Sequence, residues 1–220
     1  MGYYPIFVEL QDRRCLVIGG GREAQRKVEG LLAAGGNVTV IAPKLTRDLQ
    51  GLLAEGRIDL QQREYLEGDL EGYEVVMVAT NDGAVNADVA AEGKRRRIWV
   101  NAADDTKNCD FILPSVVRRG RITIAASTGG ASPALARRLR EELEAYMTDD
   151  MPALADLLAE VREELRSRGI APDAEVWQQA IDEELRLLLV QRKHRQAKAR
   201  LLESLGVGEL VSELVEAKTS

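Results

Sequence analysis

An apolar, β-branched run, Cys15-Leu16-Val17-Ile18, passes without a spacer into Gly19-Gly20-Gly21 and then into a helical pattern opening with Arg22-Glu23-Ala24. Ala24, Val28, Leu31 and Leu32 share one helical face, Gly35-Gly36 stops the helix, and residues 38–41 resume a β-branched run. Strand, helix and strand in this order form a βαβ unit. The glycines fit G-x-G-x-x-A at the place where that pattern has a mechanism. Gly19 permits the tight turn, Gly21 lets backbone approach a pyrophosphate, and Ala24 keeps the helix close to the sheet, while the helix N-terminus offers unpaired N–H groups. The bland alternative is a glycine turn with no ligand.

Residues 58–60, 75–79 and 98–100 supply three more short strands, and their alternation with helical stretches predicts a parallel α/β sheet. The pattern changes after Phe111. Val116-Val117 and residues 122–125 flank Arg118-Arg119-Gly120-Arg121, which predicts an antiparallel hairpin, and Ser132-Pro133 supplies an N-cap and first-turn proline for a helix to about Tyr146. Beyond residue 150 the chain reads as helices over 153–168, 173 to about 192, and shorter pieces to 215. The expected architecture is a Rossmann-type α/β domain over 1–112, a small α+β hairpin-and-helix segment over 113–150, and a C-terminal helical module over 151–220.

Composition excludes several classes of function. Hydrophobic residues make up 45% of the 220, enough for a substantial core, whereas aromatics are 4% and the net charge is −6, which disfavours nucleic-acid binding. Apolar runs stay far below the ~20 residues that span a bilayer. The two cysteines, Cys15 and Cys109, have no CxxC spacing, and no signal-peptide pattern precedes them. A reduced, cytoplasmic setting is therefore expected. One histidine, His194, in a charged helical stretch and two distant cysteines do not assemble the usual zinc ligand sets; no metal site is expected.

Candidate site residues follow from position. The sequences Ala79-Thr80-Asn81-Asp82 and Asn101-Ala102-Ala103-Asp104-Asp105 both come after predicted strands, at the carboxyl edge where open α/β folds bind ligands. Thr80, Asn101 and Ala102 are candidates for holding a cofactor, and Asp104 for an acid or base, although acids there are often only loop formers. The acid that usually holds the ribose is missing, because the second strand ends Ile41-Ala42-Pro43-Lys44. Pro43 and Lys44 can still offer backbone contacts to an adenosine. Between Phe111 and Arg140 there is no Asp or Glu, but there are Arg118, Arg119, Arg121, Arg137, Arg138 and Arg140. That imbalance fits a polyanionic ligand, with hydroxyls from Ser127, Thr128 and Ser132 around Gly129. It fits a solvated helix face or an interface equally well. Leu185, Leu187, Leu188 and Leu189 make their helix apolar on more than one side, which favours packing against another element or subunit.

Tyr4-Pro5-Ile6-Phe7, the glycine loop followed by Arg26-Lys27, residues 101–104, Phe111-Ile112-Leu113-Pro114, and Ser127-Thr128-Gly129-Gly130-Ala131-Ser132-Pro133 together resemble the precorrin-2 dehydrogenase and sirohydrochlorin ferrochelatase family. The resemblance covers roughly the first 146 residues. It implies a Rossmann-type NAD domain, a middle segment that helps to form a homodimer, and a C-terminal helical module. It also implies oxidation of precorrin-2 to sirohydrochlorin with NAD, a polycarboxylate tetrapyrrole substrate, and, in bifunctional members, insertion of Fe²⁺ as a second substrate. By this resemblance Asp104 matches the catalytic aspartate, Arg22, Glu23, Pro43 and Lys44 fall on NAD-contacting positions, and Thr128 falls where some members have a serine lining the tetrapyrrole site. Arg137 and Arg138 would meet substrate carboxylates. An NAD-sensing regulatory module without turnover is the alternative from a non-enzyme class.

Overall fold

The computed structural model describes residues 2–102 and 108–207. Their contacts divide the chain into two compact units, Met1–Leu113 and Pro114–Ser220. The hairpin-and-helix segment and the helices after residue 150 fall in the same unit.

The first unit is built from β1 (Arg14–Ile18), α1 (Arg22–Ala33), β2 (Asn37–Ile41), α2 (Arg47–Ala54), β3 (Asp59–Gln61), β4 (Val75–Val78), α3 (Gly83–Arg96) and β5 (Trp99–Ala102). The strands form one parallel sheet in the order β3-β2-β1-β4-β5, the expected Rossmann-type arrangement. Both faces are covered, so the strands read as apolar runs rather than alternating ones. Val17, Val40 and Met77 pack against Val28 and Leu31 of α1, while Leu16, Ile18, Val76 and Val78 pack with Val89 of α3 on the other face.

Glu92 of α3 is 1% exposed and is the polar anchor of that second face. It accepts from the Tyr65 hydroxyl at 2.6 Å and the Gly68 amide at 3.0 Å, and it pairs with Arg96 at 2.6 Å. Burial alone would raise its carboxyl, but these bonds outweigh it and hold the group below the ordinary carboxylate range.

At the free edge of β5 the chain returns on itself. The Asp110 amide donates to the Val100 carbonyl at 2.8 Å, and Asp110 Oδ2 accepts from the Val100 amide at 2.9 Å. The return occupies backbone groups that an edge strand would otherwise expose.

The second unit opens with the expected hairpin, β6 (Ser115–Arg119) and β7 (Ile122–Ala126), paired so that Arg119 faces Ile122. Then follow α4 (Pro133–Tyr146), α5 (Asp150–Ser167), α6 (Ala174–Ala180), α7 (Glu183–Val190) and α8 (His194–Ser204). Ser132 caps α4 by accepting from the Leu135 amide at 3.2 Å. Two helical expectations are corrected. The helix expected from residue 153 begins at Asp150, because Pro152 sits in the first turn, where its missing N–H costs nothing. The single helix expected over 173 to about 192 is two, because Asp182 accepts from the Leu185 amide at 2.8 Å and starts a new helix. Leu157 and Val161 of α5, Leu185 and Leu189 of α7, and Leu201 of α8 form the core of this unit.

Candidate functional site

Strand order reverses between β1 and β4, and open α/β folds bind ligands outside the carboxyl ends of the strands at such a point. There the Gly19 amide donates to Ile41 at 2.9 Å, and the Ala79 amide donates to Ile18 at 2.8 Å. Gly19 has φ +123°, and a Cβ on it would run into the Ala79 carbonyl; on Gly20 a Cβ would run into the Lys44 carbonyl. These two glycines are demanded by the protein itself. Gly21 is not: a Cβ there would meet nothing within 4 Å. It is the N-cap of α1 and supplies no side-chain cap. Space beyond Gly21 and an uncapped helix N-terminus are what a pyrophosphate requires, so the residues present fit a dinucleotide.

The loop after β2 is bound to this glycine loop. The Thr46 amide donates to the Gly20 carbonyl at 3.0 Å, the Thr46 hydroxyl donates to Gln25 Oε1 at 3.0 Å, and Thr46 also caps α2 by accepting from Leu49 at 3.3 Å. Pro43 and Lys44, in the same loop, are exposed. They also border a groove of about 350 Å³ shared with Gln50, Leu60 and Gln62. Arg22 is exposed, and Glu23 is paired with Arg26.

Thr80 follows β4. Its hydroxyl donates to the buried Asn86 of α3 at 2.8 Å and accepts from the Asp82 amide at 3.2 Å, so it is committed to the start of that helix. Asn101 and Ala102 are buried at the end of β5. Asn101 Nδ2 donates to the Phe111 carbonyl at 2.9 Å, and Cys109 Sγ meets the Ala102 amide at 3.2 Å. Asp104 lies outside the described residues. The other cysteine, Cys15, is buried, and its thiol is pushed up to about 11 by that burial and by the charge of Glu74. It is poorly suited to chemistry.

In the second unit, Ser127, Thr128, Gly129 and Ser132 form one turn ahead of α4. Ser127 Oγ accepts from the Gly129 amide at 3.1 Å, and the Thr128 hydroxyl donates to the Ser132 carbonyl at 3.1 Å. Arg137 pairs with Glu141 at 3.1 Å, Arg138 with Glu142 at 2.7 Å and Arg140 with Glu144 at 2.7 Å, all four residues apart along α4. Arg119 and Arg121 pair with Asp149 and Asp156, both at 2.9 Å. The acids that balance these arginines thus come from outside the acid-free stretch. At Arg137 and Arg138 the pairs are exposed, and exposed pairs of this kind are individually weak.

Sequence reading passed over Gln25 and Thr46, and took Lys27 only as part of the Arg26-Lys27 motif, without a role of its own. Thr46 carried a visible signal as the hydroxyl residue before a helical run. Lys27 carried a subtler one, since positions 24, 27, 28 and 31 share the buried face of α1.

A parallel sheet of this order, with a glycine loop opening onto an uncapped helix at the switch point, defines a dinucleotide-binding α/β protein. Residues 6–115 match the family described as putative NAD(P)-binding, and residues 119–146 the one described as sirohaem biosynthesis protein central. The solved structure of SirC, precorrin-2 dehydrogenase, is similar with a TM-score of 0.74 and 30% identity, over 91% of this chain and 100% of that one. Siroheme synthase of Methylococcus capsulatus is 39% identical over 206 residues, which are 93% of this chain and 44% of the relative. Siroheme synthase of Photorhabdus laumondii is 36% identical over 216 residues, 97% of this chain and 46% of that one. The chain belongs to the precorrin-2 dehydrogenase and siroheme synthase family. It spans less than half the length of these curated relatives.

Proposed function

We propose that the chain catalyses the NAD-dependent oxidation of precorrin-2 to sirohydrochlorin on the way to siroheme. The observation that carries this reading is the open cradle at Gly21, in a chain similar to a precorrin-2 dehydrogenase over that protein's whole length. The oxidation removes one hydride and one proton from the macrocycle. NAD, when bound, accepts the hydride. Gly19, Gly21, Arg22 and Glu23 hold its pyrophosphate side, Pro43 and Lys44 its adenosine side, and Thr80, Asn101 and Ala102 shape the edge against which it lies. Asp104 takes the proton as general base.

The substrate's carboxylates are bound by Ser127, Thr128, Gly129, Ser132, Arg137 and Arg138. In this scheme residues 1–112 serve the cofactor, 113–150 the substrate and a homodimer, and 151–220 form a supporting helical module. Exposed Leu135 and Tyr146 on α4 favour such a dimer. Cysteines without CxxC spacing suit a cytoplasmic protein; among the described residues no helix is long and apolar enough to cross a membrane. Fe²⁺ is a further substrate, inserted into sirohydrochlorin more slowly than the oxidation proceeds.

The test supplies precorrin-2 with NAD or with NADP anaerobically and follows sirohydrochlorin. Turnover with NAD at the higher kcat/KM is expected. Equal turnover with NADP would overturn the cofactor assignment, and no turnover with either would leave a nucleotide-sensing module. A second reaction, sirohydrochlorin with Fe²⁺ and no NAD, reads the chelatase: a rate equal to the protein-free control would make this a dehydrogenase alone.

A further inference from the structure

Among the residues that α1 buries against the sheet, Ala24, Val28 and Leu31 are apolar and Lys27 is not, yet Lys27 is 6% exposed. Burial of an ammonium is costly unless polar partners hold it. Its Nζ donates to Asn101 Oδ1 at 2.8 Å, 74 residues away in the chain. By register, the sheet row at this level runs Val40, Val17, Met77, Asn101: three apolar side chains, then an amide on β5.

Asn101 is 6% exposed and is bonded at both ends, since its Nδ2 donates to the Phe111 carbonyl. Its neighbours repeat the link. Val100 exchanges two hydrogen bonds with Asp110, and Ala102 meets the Cys109 thiol. The stretches on either side of residues 103–107 are therefore stitched together, and Lys27 ties that stitch to α1. An apolar side chain of similar length would fill the same space without the desolvation cost, so stability alone does not account for a lysine here.

We propose that Lys27, acting through Asn101, is a positioning residue for the oxidation: it fixes the carboxyl end of β5 relative to α1, the helix assigned above to the cofactor's pyrophosphate. The role rests on the NAD-dependent reaction proposed above. A tie of this kind acts on alignment of the reacting groups rather than on affinity, and misalignment lowers kcat more than it weakens binding.

The test compares the full chain with Lys27→Met, Lys27→Arg, Asn101→Ala and the Lys27→Met/Asn101→Ala double variant. It measures kcat and KM for precorrin-2, NAD affinity by calorimetry, and amide hydrogen exchange over residues 98–112. Expected are a roughly 10-fold or greater loss of kcat in Lys27→Met and in Asn101→Ala, with NAD affinity and KM within about 3-fold of wild type in Lys27→Met. The double variant should be within about 3-fold of the slower single one, because the two residues act as one unit. Lys27→Arg should recover part of kcat, and exchange over 98–112 should quicken in Lys27→Met. Wild-type kcat in either Lys27→Met or Asn101→Ala, or losses that multiply in the double variant, would overturn the proposal. If Lys27→Met does not fold, Asn101→Ala and Lys27→Arg decide it by the same criteria. Absence of sirohydrochlorin from wild-type protein would instead sink the dehydrogenase reading, whereas unchanged exchange in a folded Lys27→Met would sink the tie alone.

Discussion

The amide of Thr46 donates to the carbonyl of Gly20 at 3.0 Å, so the loop that ends β2 is fastened to the loop that ends β1. Gly20 lies so close beneath the Lys44 carbonyl that a side chain has no room, whereas its neighbour Gly21 faces open space. The two glycines should therefore fail differently. Gly20→Ala should lower the melting temperature, because backbone must move apart. Gly21→Ala should leave the melting temperature nearly unchanged and weaken NAD about 10-fold or more, since its methyl group occupies the pyrophosphate's approach. Calorimetry with NAD and thermal melts of both variants check this. Tight NAD binding by Gly21→Ala would contradict the cradle.

Asp104→Asn should keep fold and NAD affinity while losing most of kcat, because the amide is nearly isosteric but cannot accept the proton. Steady-state turnover of precorrin-2 beside NAD calorimetry reads both quantities. Wild-type kcat in this variant would remove Asp104 from the reaction.

Replacing Arg137 and Arg138 by Ala removes two exposed pairs with Glu141 and Glu142. Exposed pairs of that kind add little to helix stability, so the melting temperature should barely move. KM for precorrin-2 should rise severalfold with NAD affinity unchanged. An unchanged KM together with a weakened dimer in sedimentation would assign these arginines to an interface instead.

Acid should destabilise the protein through Glu92. Its folded carboxyl lies below the ordinary value of 4.5, so the unfolded chain binds the proton more readily. The stabilisation is fully present above that ordinary value and is lost as pH falls through the lower folded one. Asp150, held down first by Arg186, and Asp182, held down first by Arg200, add to the same limb. Glu92→Gln should lower the melting temperature at neutral pH and make its decline below about pH 4.5 shallower without abolishing it. An identical pH profile in the variant would rule Glu92 out as a contributor.

The strands and the glycine loop were legible in the sequence because their signals are local: β-branched runs, a glycine triplet and helical spacing all lie within a few residues. The break at Asp182 was not, because the apolar residues on both sides continue one helical pattern, and only the capping bond to Leu185 shows where it restarts. The acids opposite the arginines showed the same limit. Glu141, Glu142 and Glu144 lie just past the stretch whose lack of acids suggested an unmet charge, and Asp149 and Asp156 reach back to the hairpin. The bond of Lys27 was not legible, although Lys27 itself stood in the Arg26-Lys27 motif, because its partner Asn101 is distant in the chain, and a lysine on an amphipathic helix reads as solvated until its burial is seen.

The most direct measurement of the central claim is stoichiometric. Purified protein is mixed anaerobically with precorrin-2 and a limiting amount of NAD, and NADH and sirohydrochlorin are followed together by absorbance. Equal amounts of the two products, formed at one rate and ceasing when NAD is exhausted, are predicted. Sirohydrochlorin appearing without NADH, or NAD bound with neither product formed, would contradict hydride transfer from the macrocycle to NAD in this protein.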